Sequence, residues 1–252
     1  MTVFSPPLAL ASLSGAADAE WGRAGAPYAG AAFLGGIAIC DRSRGAAREM
    51  VADRDRSEFL PPDPLAWIDE QLAALADARI APAINVRSTR ADRVAEAARV
   101  CADRGAALEI NAHCRQAELC AVGCGERLLA DTDRLCEFVA ASADAGATTS
   151  VKVRAEVDGV DLVETARRVE RAGADWFHVD AMDSESVIHE VARAADLSVI
   201  ANNGVRDRAT TNEYLDYGAD AVSVGRPSDD PAVLRRVRRA LRSHESVTTG
   251  TE

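Results

Sequence analysis

Lysine is all but missing from this chain: Lys152 is the only one in 252 residues, and every other cation but histidine is an arginine. Acidic side chains outnumber basic ones, for a formal net charge of -11. That balance excludes a broadly basic, nucleic-acid-coating surface. A surface rich in Asp and Glu and purged of Lys fits adaptation to high salt, an expectation about habitat rather than chemistry. A single lysine kept where arginine has replaced all others points to work that only a compact, titratable ammonium does. No apolar stretch approaches the roughly 20 residues that span a bilayer. The opening MTVFSPPLALASLSG has no basic segment before its apolar part, so no secretory leader is expected and a cytoplasmic protein is the default. The six cysteines lack paired spacing, which favours free thiols over a disulfide framework or a structural metal. No G-x-G-x-x-G follows the first apolar run, so a dinucleotide-binding doubly wound sheet lacks its fingerprint.

What the chain does have is alternation. Short apolar runs, expected as strands, fall at 8–11, 33–39, 80–86, 108–112, 149–154, 175–179, 197–201 and 220–224. Helical patterns follow most of them, at 65–78, 89–103, 132–145, 161–172, 184–195, 206–217 and 231–243, and several stop at a glycine such as Gly105, Gly146, Gly173 or Gly218. Segment 42–64 reads as irregular, 115–131 as a long insertion, and 245–252 as a disordered polar tail. Eight strands, each with a helix or a substitute, and no dividing linker imply one (β/α)8 barrel over residues 1–244.

In such a barrel every strand hands its last residues to one face, so listing strand ends lists a site. Ala107 to Cys114, ALEINAHC, is the clearest case: Leu108 and Ile110 alternate with Glu109 and Asn111, and the run ends in His113 and Cys114. The other ends supply Ser12 and Ser14, Asn85 and Arg87, Lys152 and Arg154, His178, Asn202, and Gly225-Arg226. Asn202-Asn203-Gly204 and Gly225-Arg226 follow strands seven and eight, the usual phosphate position, where glycine lets backbone N–H groups approach and Arg226 adds a fork. Lys152 and Arg154, two apart on one strand, face the same way. As an inward pair they call for an anionic or electron-rich ligand, unless Lys152 is held in an ion pair with Glu109 or Asp180.

These motifs, in order and at barrel spacing, resemble those of the flavin-dependent dihydrouridine synthases. ASLSGAAD at Ala11 to Asp18 resembles their APMAGVTD loop, and EINAHC their DINxGCP. Gly123-Cys124-Gly125 with Leu128-Leu129 is similar to their G-x-G-x-x-LL. VKVR resembles VKIR, FHV an HxR-type strand, IANNG their IANGD, and SVGR their MIGR. The likeness is closest to a small archaeal branch of related barrels.

The resemblance implies FMN across the barrel mouth and NADPH as reductant. It implies that Ser12, Leu13, Ser14, Asn85, Lys152, His178, Asn202, Gly204, Gly225 and Arg226 bind the cofactor. Lys152 would stand at the ring's N1/O2 edge, Asn111 and Arg154 would orient a uracil-like substrate, and Cys114 would be the general acid. The substrate would be uracil in tRNA or a free pyrimidine. Three departures stand out: His113 replaces the family's glycine, Arg115 its proline, and Asn85 a glutamine. Nothing here resembles the C-terminal helical domain that grips tRNA in full-length synthases.

Other chemistries are weighed against this one. A dihydroorotate dehydrogenase-like enzyme shares the cofactor but expects paired asparagines. A non-redox isomerase or lyase shares the phosphate turns but expects two inward carboxylates. His113, Cys114, Cys120 and Cys124 fit no standard metal-ligand spacing.

Overall fold

Alternating apolar residues build eight parallel strands that close on themselves in the order β1-β2-β3-β4-β5-β6-β7-β8. The computed structural model describes residues 3–53 and 57–249, with side chains through 244. The strands are β1 (Leu8–Leu10), β2 (Ala31–Ala38), β3 (Ala81–Arg87), β4 (Ala107–Asn111), β5 (Thr148–Arg154), β6 (Trp176–Asp180), β7 (Ser198–Asn202) and β8 (Ala221–Val224). Around them run α1 (Ala19–Gly25), α2 (Asp41–Asp53), α3 (Pro64–Ala73), α4 (Ala91–Asp103), α5 (Ala117–Ala121), α6 (Glu126–Leu129), α7 (Thr132–Ala143), α8 (Leu162–Arg171), α9 (Val187–Ala194), α10 (Arg208–Asp216) and α11 (Pro231–Thr249). The expected single-domain (β/α)8 barrel is the fold observed.

Period-two patterning sorts each strand into two faces. Outward residues such as Leu108, Ile110, Phe177, Val179, Val151 and Val153 pack against the helices in the main core cluster. Inward residues form layers. At the amino-terminal end Phe4, Phe33, Ile200 and several alanines plug the barrel, with Trp176 edge-on to Phe4 and Phe33 at centroid distances of 5.8 and 6.2 Å. Above them the inward positions turn polar: Asn85, Glu109, Ser150, His178 and Ser223 are buried there. At the carboxyl ends lie Arg87, Asn111, Lys152, Arg154, Asp180 and Asn202.

Two elements differ from expectation. Segment 42–64 is not wholly irregular, because Asp41–Asp53 is a helix whose buried stripe is Ser43, Arg44, Ala46, Ala47 and Met50. Small and polar residues in that stripe, with Gly45 beside it, hide its helical period. The last helix runs to Thr249, so five residues expected in the tail are helical, and the rest of the tail, 250–252, lies outside the described residues. The 115–131 insertion folds as α5 and α6, and Cys114, Leu119 and Cys124 pack there against Ala46 and Met50 of α2.

Among the described residues no helix is long and apolar enough to cross a membrane, and no group of three or more His, Cys, Asp or Glu is placed to hold a metal.

One glycine closes the insertion against the site. Gly125 has φ +60°, and a Cβ there would sit 2.1 Å from the Cys114 carbonyl oxygen and 2.6 Å from its Sγ. Gly125→Ala is expected to cost about 3 kcal/mol, from left-handed strain plus the clash. Gly45→Ala, in open space within α2, is expected to gain up to about 1 kcal/mol. Urea midpoints of the two variants against wild type check both signs.

Candidate active site

The site is assembled over a buried carboxylate. Strand register places Glu109 beside Asn85 on β3 and Ser150 on β5. Its Oε1 accepts from Asn85 Nδ2 at 2.7 Å, and its Oε2 accepts from Ser150 Oγ at 3.1 Å and His178 Nδ1 at 2.7 Å. Burial pushes the Glu109 carboxyl up, but His178, Lys152 and Asn85 outweigh it and hold it below the usual range, so it is an anion. Burial depresses His178 more than Glu109 raises it, so the imidazole is neutral. With Nδ1–H given to Glu109, Nε2 accepts the Ser223 hydroxyl proton at 2.7 Å. Ser223 Oγ in turn accepts from Asn202 Nδ2 at 2.8 Å. On the other side Asn111 Nδ2 donates to Asn85 Oδ1 at 2.9 Å, and Asn111 Oδ1 accepts the Cys114 backbone N–H at 3.1 Å. Two hydrogen-bond arms, one from Asn202 and one from the Cys114 loop, therefore converge with their donors pointing at Glu109.

A cavity of about 420 Å³ opens above this chain. Ser12 and Leu13 line it from the turn after β1, Lys152 from β5, Asp180 from β6, Asn202 from the end of β7, and Gly204, Gly225 and Arg226 from the turns after β7 and β8. Lys152 is 2% exposed, and its ammonium makes no hydrogen bond or ion pair among the described residues. The alternative of an ion pair with Glu109 or Asp180 is thereby set aside. Burial lowers its pKa, opposed by the charges of Glu109 and Asp180. It is a desolvated ammonium aimed at a mouth that must supply its partner.

A Cβ added at Gly204 or Gly225 would meet nothing within 4 Å, so both backbones border open space. The N–H groups of Gly204, Val205, Gly225 and Arg226 donate to no group among the described residues. Four free donors beside Arg226 and Arg206 make an anion cradle.

A second recess, about 390 Å³, shares His113, Asp180 and Arg226 with the first and adds Cys114, Arg115, Gln116, Arg154 and Met182. Cys114 is 4% exposed, and burial pushes its thiol up to about 11, so at neutral pH it holds its proton. Arg154 lines the same recess and pairs with Glu126 of α6 at 2.8 Å.

The sequence-derived residues thus gather at one mouth, but not in equal positions. Asn85 and His178 lie beneath the cavity with their polar atoms committed to the chain, and Asn111 is likewise committed. Ser14 accepts a hydrogen bond from Arg87, which pairs with Glu58 at 2.6 Å. The β2 bulge at Gly35-Gly36 admits that guanidinium, since a Cβ on Gly36 (φ +59°) would lie 2.9 Å from Arg87 Nη2. Sequence reasoning missed Glu58, Ser150 and Ser223 and gave Glu109 only a pairing role. The inward alternation of strands 109/111, 150/152 and 221/223 was the available signal.

A parallel barrel with a buried polar floor, an unpaired lysine in its mouth and free backbone donors after β7 and β8 has its polar groups gathered at the carboxyl-terminal face, where (β/α)8 barrel enzymes build their sites. The profile of the dihydrouridine synthase (Dus) family matches residues 69–249, and the chain belongs to that family. It is 28% identical over 252 residues to a probable tRNA-dihydrouridine synthase of Rhodobacter capsulatus, covering 94% of this chain and 72% of that one. It is also 26% identical to an uncharacterised protein of Methanocaldococcus jannaschii, over 86% of this chain and 87% of the relative. Among solved structures, dihydroorotate dehydrogenase of Eimeria tenella superposes with a TM-score of 0.73 at 15% identity, over 98% of this chain and 83% of that one, a likeness of fold.

The buried anion makes two predictions. Glu109→Ala strands three donors and is expected to lose roughly 3–5 kcal/mol of stability. The group's native pKa lies below the ordinary 4.5, so its stabilisation is complete above that pH and is lost as pH falls through the native value. The stability gap between wild type and Glu109→Gln should therefore narrow on acidification below 4.5. Denaturation midpoints across pH check this, and a constant gap contradicts it.

Proposed function

We propose that the protein is an FMN-dependent oxidoreductase that reduces the C5–C6 bond of a uracil base, with NADPH as the source of electrons. The observation that carries this reading is Lys152: a buried ammonium without a protein partner, facing a cavity whose far side is an anion cradle. A cofactor with an electron-rich ring edge at one end and a phosphate at the other satisfies both. Bound FMN would supply hydride chemistry.

The chain's own residues have distinct tasks in this reading. Gly204, Gly225 and Arg226 hold the phosphate through backbone N–H groups and the guanidinium, with Asn202 beside them. Ser12 and Leu13, which line the cavity, would border the bound ring, and Ser14, tied to Arg87, fixes that loop. Lys152 would compensate negative charge on the bound ring. Asn85 and His178 act from below, by positioning Glu109 and the strand ends. Asn111 sets the Cys114 loop, and Arg154 orients the base from the neighbouring recess.

Cys114 is the proton donor. Adding hydride to C6 leaves an electron pair at C5, conjugated with the C4 carbonyl, and the S–H of Cys114 protonates C5. Burial supports that role because a thiol held near 11 is fully protonated at neutral pH.

The uracil is read as a residue of tRNA, since the Rhodobacter capsulatus relative is named for that substrate. A cytoplasmic location goes with it. A free pyrimidine is the competing substrate.

The purified protein, reconstituted with FMN, should show flavin absorption bands that bleach with NADPH and recover on adding unmodified tRNA. Cys114→Ala should leave bleaching intact and slow recovery by roughly 100-fold or more. Equal loss in both half-reactions contradicts the proton-donor role. Recovery with orotate but not tRNA reassigns the substrate, and failure to bind FMN contradicts the reading as a whole.

A further inference from the structure

His113 stands where the resembled family places a glycine, and its surroundings give it a specific chemical character. The ring lies in the wall between the two recesses of the mouth and lines both. The backbone beneath it is anchored by the same carboxamide that fixes Cys114, with the His113 N–H 3.4 Å and the Cys114 N–H 3.1 Å from Asn111 Oδ1. Its two ring nitrogens differ. Nδ1 is buried and has no hydrogen-bond partner, whereas Nε2, also without a partner among the described residues, is not enclosed in the half-buried side chain that lines both recesses.

Burial, then the nearby charges of Lys152, Arg87 and Arg154, hold the ring well below the usual histidine range, so it is neutral and carries one proton. Nδ1 is unpartnered in either tautomer, and a buried N–H without an acceptor is tolerated less often than a buried lone pair without a donor. On that ground the proton is assigned to Nε2, and His113 presents a neutral N–H donor to the cavity. A glycine at this position offers no such group.

We propose that His113 is a catalytic residue of the uracil reduction, its Nε2–H donating a hydrogen bond to the C4 carbonyl oxygen of the base. The inference rests on the functional reading above. When hydride adds to C6, the C5=C6 electron pair moves to C5 and O4. Cys114 then delivers its proton to C5, the C4 carbonyl is restored, and solvent reprotonates the thiolate. The hydrogen bond at O4 stabilises the oxygen while it carries charge, and no proton is transferred there. Being neutral, the imidazole does not compete with the thiol as an acid. The arrangement also divides the labour across the recess wall: Cys114 serves C5 and His113 serves O4, both set by Asn111.

The test uses His113→Ala and His113→Gln in the FMN-loaded protein. Both variants should still load FMN and be bleached by NADPH, so that transfer to the base is compared on cofactor-loaded protein. Transfer to uracil should fall roughly 10- to 1,000-fold in kcat for the alanine variant, with a much smaller change in KM. The glutamine variant, which retains an N–H donor, should recover part of that loss. In the oxidised wild type, adding uridine 5′-monophosphate as probe should shift the His113 Nε2 nitrogen resonance.

Wild-type transfer in His113→Ala, or faster transfer because the ring merely obstructs, overturns the inference alone. Loss of FMN binding in both variants also overturns it, since the ring then holds the cofactor. A wild type that loads FMN but reduces no uracil-containing substrate contradicts the functional reading and takes this inference with it.

Discussion

The Glu109 carboxylate is the constraint on which the rest of the structure depends. Three donors converge on it from β3, β5 and β6, and a charge buried inside a barrel survives only if its lone pairs are met. Each donor is itself oriented by what it does with its other end. Asn85 must accept from Asn111, and His178 must accept from Ser223, which leaves one consistent set of amide and imidazole orientations. A fixed anion in the barrel thus sets the height and direction of side chains at the mouth. It also makes a buried lysine tolerable without contact, because its charge acts on Lys152 through the low-dielectric interior.

Barrel interiors are commonly filled with branched apolar side chains. Here the filling is split. Aromatic and alanine side chains plug the amino-terminal end, and the layers above are polar and satisfied. That split suits an enzyme whose cofactor rests on the polar layer: the floor cannot collapse into the cavity, and the dipoles beneath it are preorganised. The insertion after β4 has a parallel purpose. Through Gly125 and the Cys114 carbonyl it packs Cys114 against α2 and α5 at the edge of the recess, and burial there keeps the thiol protonated.

Much of the fold was legible because strand patterning inside a barrel is stringent. Leu108 and Ile110 against Glu109 and Asn111, or Phe177 and Val179 against His178, allow only one assignment of faces. Helix α2 escaped notice because its buried stripe is Ser43, Arg44 and alanines, whose small or charged side chains give no apolar period. Lys152, Cys114 and the turns after β7 and β8 could be found from strand ends alone. The hydrogen-bond chain could not, since Ser150 and Ser223 are chemically unremarkable until strands distant in sequence stand side by side. Glu58 lies in a segment with no pattern at all, and only the closed barrel brings it to Arg87.

The central claim is that the sole lysine is kept for a cofactor and not for folding. FMN titration of Lys152→Met, paired with its urea midpoint, addresses this directly. The account predicts FMN affinity at least about 10-fold weaker, a loss on the scale of one desolvated charge contact, with stability equal to or above wild type because a buried unpaired charge has gone. Wild-type FMN affinity in that variant, or a cofactor-free fold that collapses without the lysine, would contradict it.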